Sequence, residues 1–404
     1  MVSSRLLKCS TVTTLLISLY CDNVRAYDWQ LGYRVSSERY EEGNNLFFHN
    51  TENYLGQTVA DFNIEHQGFR SSISAREQWR SENDNFTPED EDKLIVGEFF
   101  LDTSAFDWDF TFGKKRLNWA VGFGHQPLNL ITVESNLATG VVIDEGAWMI
   151  SAERYSDSGA ITLIAANSKT QQESNAVQPK GAGLRYYELV GDWDLQTILY
   201  HDDVHGMNLG GSAVTVVGDA MSYHLSTLWS EKYNKLSHSL SGTHSFPTSD
   251  PIQRDLKSDG FQFLTGVNYS FANNVNMIVE YWFDGRSASH RQWQDLFDAG
   301  DAQLNSTEGM ALLSAEREFF TSVNLMRHNM LLHLSYDSEP YDIEFDLQIS
   351  PRDKGAIGTA RIIYEWSQNH RSQFGFRTYT GSERSVYRQL PNEFETFFRI
   401  EGAF

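Results

Sequence analysis

The chain has 404 residues and carries 54 Asp and Glu against 32 Lys and Arg, a formal net charge of -22. Beyond the N-terminus no apolar run approaches the ~20 residues that a membrane-spanning helix needs, and a content of 26 Phe, 18 Tyr and 10 Trp with only 8 Pro is the opposite of a disordered composition. An acidic chain with no Lys/Arg-rich patch repels phosphate backbones, which excludes nucleic acid as a partner.

The first segment of the chain reads as a leader. Arg5 and Lys8 precede a short apolar stretch over 14–20, and Val24-Arg25-Ala26 places small residues where a signal peptidase cuts, so cleavage is predicted after Ala26. Cys9 and Cys21 both fall inside this segment, and Tyr20 is too bulky for a lipoprotein anchor at Cys21. The remaining 27–404 is expected to be one domain without thiols, suited to an oxidising compartment. It holds 29 Lys and Arg against 53 Asp and Glu, a charge of -24.

From there one signal recurs: short runs in which apolar and polar residues alternate, the period of a β-strand with one face of each kind. It appears at 28–36, 58–64, 69–79, 94–102, 108–112, 147–154, 160–166, 182–189, 193–200, 207–217 and 221–229. In 261–271, Phe261, Phe263, Thr265, Val267, Tyr269 and Phe271 share a face; Ala272-Asn273-Asn274 makes a turn, and Val275, Met277, Val279, Tyr281 and Phe283 continue opposite Asn276, Glu280 and Asp284. Further strands follow at 330–336, 341–350, 360–366 and 373–379. The last residues, 394–404, put Phe394, Thr396, Phe398, Ile400, Gly402 and Phe404 on one face.

Alternation of this kind suits a soluble sandwich or a transmembrane barrel with lipid outside and water inside. Three features select the barrel. Aromatic residues cluster near strand ends (Trp29, Trp108, Trp148, Trp193, Trp229, Trp366), as interfacial girdles require. Links alternate between short (66–68, 103–105, 157–159, 190–192, 218–219, 272–274, 338–340, 368–371) and long (37–55, 81–93, 114–146, 168–181, 202–207, 231–260, 284–328, 351–358, 380–392). The chain also ends on an alternating strand, a poor soluble tail but a suitable closing strand. The expected fold is an all-β transmembrane antiparallel up-and-down barrel of about 18 strands (16 if 28–36 and 207–217 are not strands). Short turns would face the periplasm and long loops the outside.

The leader, the alternation and the terminal Phe398-Arg399-Ile400-Glu401-Gly402-Ala403-Phe404 together resemble the porin-like outer-membrane β-barrels of Gram-negative bacteria. The resemblance implies insertion into the outer membrane by the barrel-assembly machinery, with periplasmic chaperones, through a signal carried by Phe398, Gly402 and Phe404. Outer-membrane lipids and lipopolysaccharide would surround the wall. The stretch from Gly113 through Lys114, Lys115 and Arg116 to Gly124 looks like a segment of porin-like and polysaccharide-export barrels, without choosing between them.

With the apolar faces assigned to lipid, the lumen follows by alternation. Glu280, Asp342, Glu344 and Asp346 point inward, then Arg361, Arg377 and Arg399 from three successive strands, with Glu365, Glu395 and Glu401. Opposed acidic and basic walls would orient charged or dipolar solutes; equally, the groups would pair and stiffen a wet barrel. Two loops are candidates to narrow an 18-stranded lumen. One is 113–130, with Lys114, Lys115 and Arg116; the other is 286–328, with a helix-like run over 310–320.

No catalytic motif or cysteine metal site is present, so no enzyme, cofactor or metal is expected. His224 and Ser226 share a face without a third orienting residue; His201-Asp202-Asp203-Val204-His205 lies in a loop without helical geometry; Glu89-Asp90-Glu91-Asp92 reads as a solvated run, though it has groups that would take Ca²⁺. The expected function is a diffusion channel for small hydrophilic solutes, monomeric or trimeric, the net charge favouring cations or neutral molecules. The alternatives are a polysaccharide exporter, which needs an electropositive passage around Lys114, Lys115 and Arg116, and a lipid-modifying barrel enzyme using His224.

Overall fold

The computed structural model describes residues 28–404 except 44, 49–53, 83–84, 89–92, 133–135, 172–178, 241–249, 304–308, 310–311, 314–315 and 323. The expected leader, both cysteines and the acidic run 89–92 lie outside the described residues.

Eighteen antiparallel strands close into one barrel. In chain order they are β1 (Asp28–Glu42), β2 (Tyr54–His66), β3 (Phe69–Glu82), β4 (Lys93–Ala105), β5 (Trp108–Lys115), β6 (Ala147–Tyr155), β7 (Gly159–Asn167), β8 (Lys180–Val190) and β9 (Trp193–Asp202). They continue as β10 (Gly206–Val217), β11 (Met221–His238), β12 (Ile252–Ser270), β13 (Val275–Asp284), β14 (His328–Ser338), β15 (Tyr341–Ser350), β16 (Gly355–Ser367), β17 (His370–Thr380) and β18 (Asn392–Ala403). Each pairs with its sequence neighbour, and β18 returns to β1 in the register Gly32↔Ala403 to Glu41↔Phe394, so the ring of eighteen strands is closed. The terminal strand does close the barrel: the Phe404 N–H donates to the Leu31 carbonyl at 2.8 Å. All eighteen expected strands are present, 28–36 and 207–217 included. A further short strand, Asn85–Pro88, pairs with the upper end of β3 outside the barrel ring.

Both described ends and all eight tight connections lie at one rim. Five of them are two-residue turns; in Gln67-Gly68 and Phe106-Asp107 both residues have positive φ, at 44°, 84°, 57° and 60°. Left-handed pairs of this sort match the twist of a hairpin. At the other rim the links are longer, but two that the sequence presents as long are not. Asp203-Val204-His205 suffices between β9 and β10, because Asp202 Oδ1 accepts the N–H groups of Val204 and His205 at 2.9 and 2.6 Å and closes the turn locally. Residues 351–354 join β15 to β16, with Lys354 at φ 60° and its N–H on the Ser350 carbonyl. In the opposite direction, β11 and β12 pair beyond their neighbours as far as His238↔Ile252, so this hairpin rises above the rim.

The pleat divides the side chains as alternation requires. Phe62, Phe99, Leu163, Leu209, Phe261, Ile343, Phe374 and Phe398 stand exposed on the outer wall. Ser36, Gln57, Gln196, Ser226 and Glu280 turn inward and are buried. Inward groups of an open pore would be wet. Their burial shows that something fills much of the lumen.

Candidate functional site

The filling is the link between β5 and β6, residues 116–146. Its stem begins within β5 at Gly113, which has a φ of +127° and precedes the buried Lys114. Lys114 Nζ meets Glu145 Oε1 at 2.6 Å with both side chains about 3 % exposed or less, and the Gln171 N–H donates to both Glu145 oxygens at 3.0 and 2.9 Å. Lys115 pairs with Asp102 at 2.8 Å and lies over the Phe100 ring. The Arg116 N–H donates to Glu98 Oε1 at 3.0 Å, while its guanidinium reaches Asp144 at 3.5 Å. Each of the three cations at the stem is therefore met by a carboxylate.

From this stem the loop runs around the inner wall. Trp119, Leu128 and Ile131 pack against inward-facing Met149, Ile164, Ile198 and Leu228, a dry core inside the barrel, and Gln196 donates to the Trp119 carbonyl at 2.7 Å. The turn Gly122-Phe123-Gly124 sits on β13, where Glu280 accepts the N–H groups of Phe123 and Gly124. Arg377 on β17 holds the Leu137 carbonyl. On the return, Gln57 accepts the Val141 N–H at 3.3 Å, Arg34 donates to the Val142 carbonyl at 2.6 Å, and Val141 and Ile143 pack on Val59 and Ile95. Apolar contact on β6–β11 and hydrogen bonds on β13, β17, β1 and β2 make the loop a diaphragm across the lumen.

The second candidate loop, 285–327, takes a different place. Its helix α1 (His290–Gln303) starts with a capping box, Ser289 Oγ accepting the Gln292 N–H and Gln292 Oε1 the Ser289 N–H. Trp293, Leu296 and Phe297 then pack with Phe47, Leu240, Ile252, Phe319, Val386 and Tyr387, residues from four long links and the start of β12, in an apolar cap at the long-loop rim. Arg384 ties the cap to α1 through Asp298 and Asp301, both at 2.5 Å. The helix-like run expected at 310–320 falls partly outside the described residues; of those described, Leu312, Leu313 and Glu316 are helical, and Arg317–Thr321 is a 3-10 turn. Burial pushes the Glu316 carboxyl beside it up to about 7, with Gln303 Nε2 as its hydrogen-bond donor.

On the wall, the residues expected to line a passage divide into two sets. Lys114, Glu280 and Asp346 point inward but are at most 3 % exposed, because the diaphragm and the neighbouring side chains cover them; they do not face open water. Asp346 is held between His333 at 2.7 Å and Arg361. Arg361 also meets Glu344 at 3.2 Å, and Arg377 is committed to the loop and to Thr359. Asp342 stands opposite Asp337 near the short-turn rim. The second set borders a cavity of about 630 Å³ on the short-turn side of the diaphragm, among whose walls are Arg34, Asp61, Arg116, Asp144, Glu365 and Arg399. Arg34 binds Asp61 through two nitrogens at 2.9 and 2.8 Å, and Arg399 donates to Gln373 at 2.7 Å. Phe398 faces outward and Gly402 is covered on that face by the rings of Tyr33 and His370, beside Phe404.

Arg34, Asp61 and Asp144 were not singled out by sequence. Alternation would have turned Arg34 and Asp61 inward, but their pairing depends on the β1–β2 register, Arg34↔Val59 and Gly32↔Asp61. His205 pairs with Asp202 at 3.1 Å within its turn. His224 Nε2 meets Glu280 at 2.9 Å and does not pair with Ser226. No group of three or more metal-capable His, Cys, Asp or Glu side chains occurs among the described residues.

No protein-family model matches the chain, and no curated protein matches its sequence. Solved structures do match the fold. OccAB1 of Acinetobacter baumannii is 9 % identical, covering 95 % of this chain and 99 % of its own with a TM-score of 0.58. OccK11 (OpdR) of Pseudomonas aeruginosa is 10 % identical over 94 % and 96 %, TM-score 0.52; OccK3 (OpdO) of the same species is 8 % identical over 94 % and 95 %, TM-score 0.51. The chain shares the closed antiparallel β-barrel fold of these structures.

Proposed function

We propose that this chain is an outer-membrane channel for diffusion of small hydrophilic solutes, delivered by the leader 1–26 and folded as one barrel domain from 27 onward. The short-turn rim faces the periplasm and the long-loop rim the outside, with lipid and lipopolysaccharide around the wall. The C-terminal Phe398, Gly402 and Phe404 serve as the signal for the assembly machinery.

One observation carries the reading: the loop 116–146 crosses the lumen of a closed 18-stranded barrel above a charged, water-accessible cavity of about 630 Å³. An 18-stranded barrel is wide enough for an aqueous path, and a loop laid across it sets the size of what passes. The cavity has acidic and basic groups in balance, Arg34, Arg116, Arg371 and Arg399 with Asp61, Asp144, Glu365 and Glu401. Such walls favour dipolar molecules over a polymer of one sign. The export alternative loses its main support, because Lys114, Lys115 and Arg116 are met one for one by Glu145, Asp102 and Glu98.

Of the basic triplet, only the Arg116 guanidinium borders the cavity, and it is the residue assigned here to ion selectivity. Purified protein in planar bilayers is expected to give stepwise conductance, and Arg116→Glu to move the reversal potential in a salt gradient toward cation preference. Folded protein that passes neither ions nor small sugars would refute the channel.

A further inference from the structure

Glu280 lies at the middle of β13 with no exposed surface. Its Oε1 accepts the Phe123 N–H at 2.7 Å and His224 Nε2 at 2.9 Å; its Oε2 accepts the Gly124 N–H at 2.7 Å. Two successive backbone N–H groups aimed at one carboxylate form the concave anion grip that chains use for phosphates, here closed on a side chain of the barrel itself. Bonds of this kind to an ionised acceptor are about twice as strong as neutral ones, and more so away from water.

The surroundings are cut to admit this contact. A Cβ on Gly124 would lie 2.6 Å from Leu331 Cδ2 and 3.3 Å from Glu280 Oε2, so a side chain there would have to displace Leu331 and crowd Glu280 for the turn to press against the wall as it does. Gly266, between His224 and Glu280 in the strand register, leaves the space through which those two side chains meet: a Cβ there would lie 2.3 Å from His224 Nε2 and 2.8 Å from Glu280 Cγ. The turn is the part of the diaphragm that reaches the wall across from the stem on β5, where the chain enters the lumen.

We propose that Glu280 is a latch: it pins the 122–124 turn of the inward loop to the wall, and the calibre of the passage depends on that pin. Glu280 acts through the loop and touches no solute, so it is a positioning residue. The electrical part of this inference rests on the channel reading; the pinning itself does not.

The test uses the full-length protein with three variants, Glu280→Ala, Glu280→Gln and Gly124→Ala, the last of which disturbs the same contact from the loop side. Folding is checked by the heat-dependent gel mobility of the barrel. Amide hydrogen exchange at Phe123 and Gly124 is expected to accelerate roughly ten- to a hundredfold in Glu280→Ala, the scale set by losing charge-assisted hydrogen bonds. Glu280→Gln, with one accepting oxygen, falls between. Single-channel conductance is expected to rise in Glu280→Ala and Gly124→Ala, and the double variant to equal the single ones. Wild-type exchange and conductance in folded Glu280→Ala would overturn the latch. If that variant does not fold, wild-type exchange in both Glu280→Gln and Gly124→Ala overturns it equally. Faster exchange in a protein that never conducts counts for the pin and against the channel.

Discussion

Lys114 offers the sharpest division between a charge that serves a passage and one that serves the fold. Its Nζ sits 2.6 Å from Glu145 Oε1, and both side chains are almost wholly withdrawn from water. Breaking a buried pair by removing one partner costs about 3–5 kcal/mol, because the other charge stays buried without compensation. In Lys114→Met, Glu145 keeps the Gln171 N–H on both oxygens, which places the cost at the lower end, about 3 kcal/mol. Glu145→Gln strands the ammonium instead, at a similar cost. The double variant removes both charges and is expected to lie within about 1 kcal/mol of the wild type, so the cycle returns a coupling of several kcal/mol. Denaturant unfolding in detergent micelles, followed by tryptophan fluorescence, reads the three differences. Since the pair has no contact with open water, the reversal potential of Lys114→Met channels is expected to match the wild type. A variant of unchanged stability with altered ion selectivity would refute this reasoning and return Lys114 to the passage.

The cap makes two further predictions. Trp293 is fully buried, with its ring 4.7 Å from that of Phe319 and its Nε1 donating to the Leu325 carbonyl at 2.8 Å. Trp293→Ala is expected to cost the cap about 3–5 kcal/mol and to open 285–327 to protease, with the gel mobility of the barrel unchanged; cleavage at the wild-type rate would contradict the cap as described. Glu316 has its carboxyl raised from 4.5 to about 7 by burial, so the folded cap holds a proton that the unfolded loop gives up earlier. The stabilisation is complete below about pH 4.5 and is lost as pH rises through about 7, roughly 3 kcal/mol in all. Hydrogen exchange in the cap should quicken from pH 5 to pH 8 beyond the intrinsic rate, and Glu316→Gln should abolish the excess. An excess that persists in the variant assigns the effect to another group.

The barrel was legible because its signal is local. In 341–350, Tyr341, Ile343, Phe345, Leu347 and Ile349 declare an outer face without reference to any other strand, and β15 covers this segment. The same holds for the 275–283 run and for the closing strand. Loop lengths were less legible: the link at 202–207 contracts to three residues because one carboxylate, Asp202, closes the turn, and polar composition does not distinguish that turn from a longer loop. The site was partly legible. Arg116 was marked by its place in a basic triplet at the start of a long link, yet Lys114 beside it carries the same charge and is buried.

What the amino-acid order determined alone is the direction of each side chain relative to its own strand, since successive residues of an extended chain point to opposite faces whatever lies beside them. Fold class, strand number and the inward turn of Glu280, Asp346 and Arg377 all follow from that. What these inward groups do was decided only in three dimensions. The bonds from Glu280 to residues 123 and 124, from Arg377 to residue 137 and from Arg34 to residue 142 join positions over a hundred residues apart, and they exist because barrel closure brings distant strands around one loop. Alternation is a property of neighbours along the chain; enclosure is a property of the whole ring.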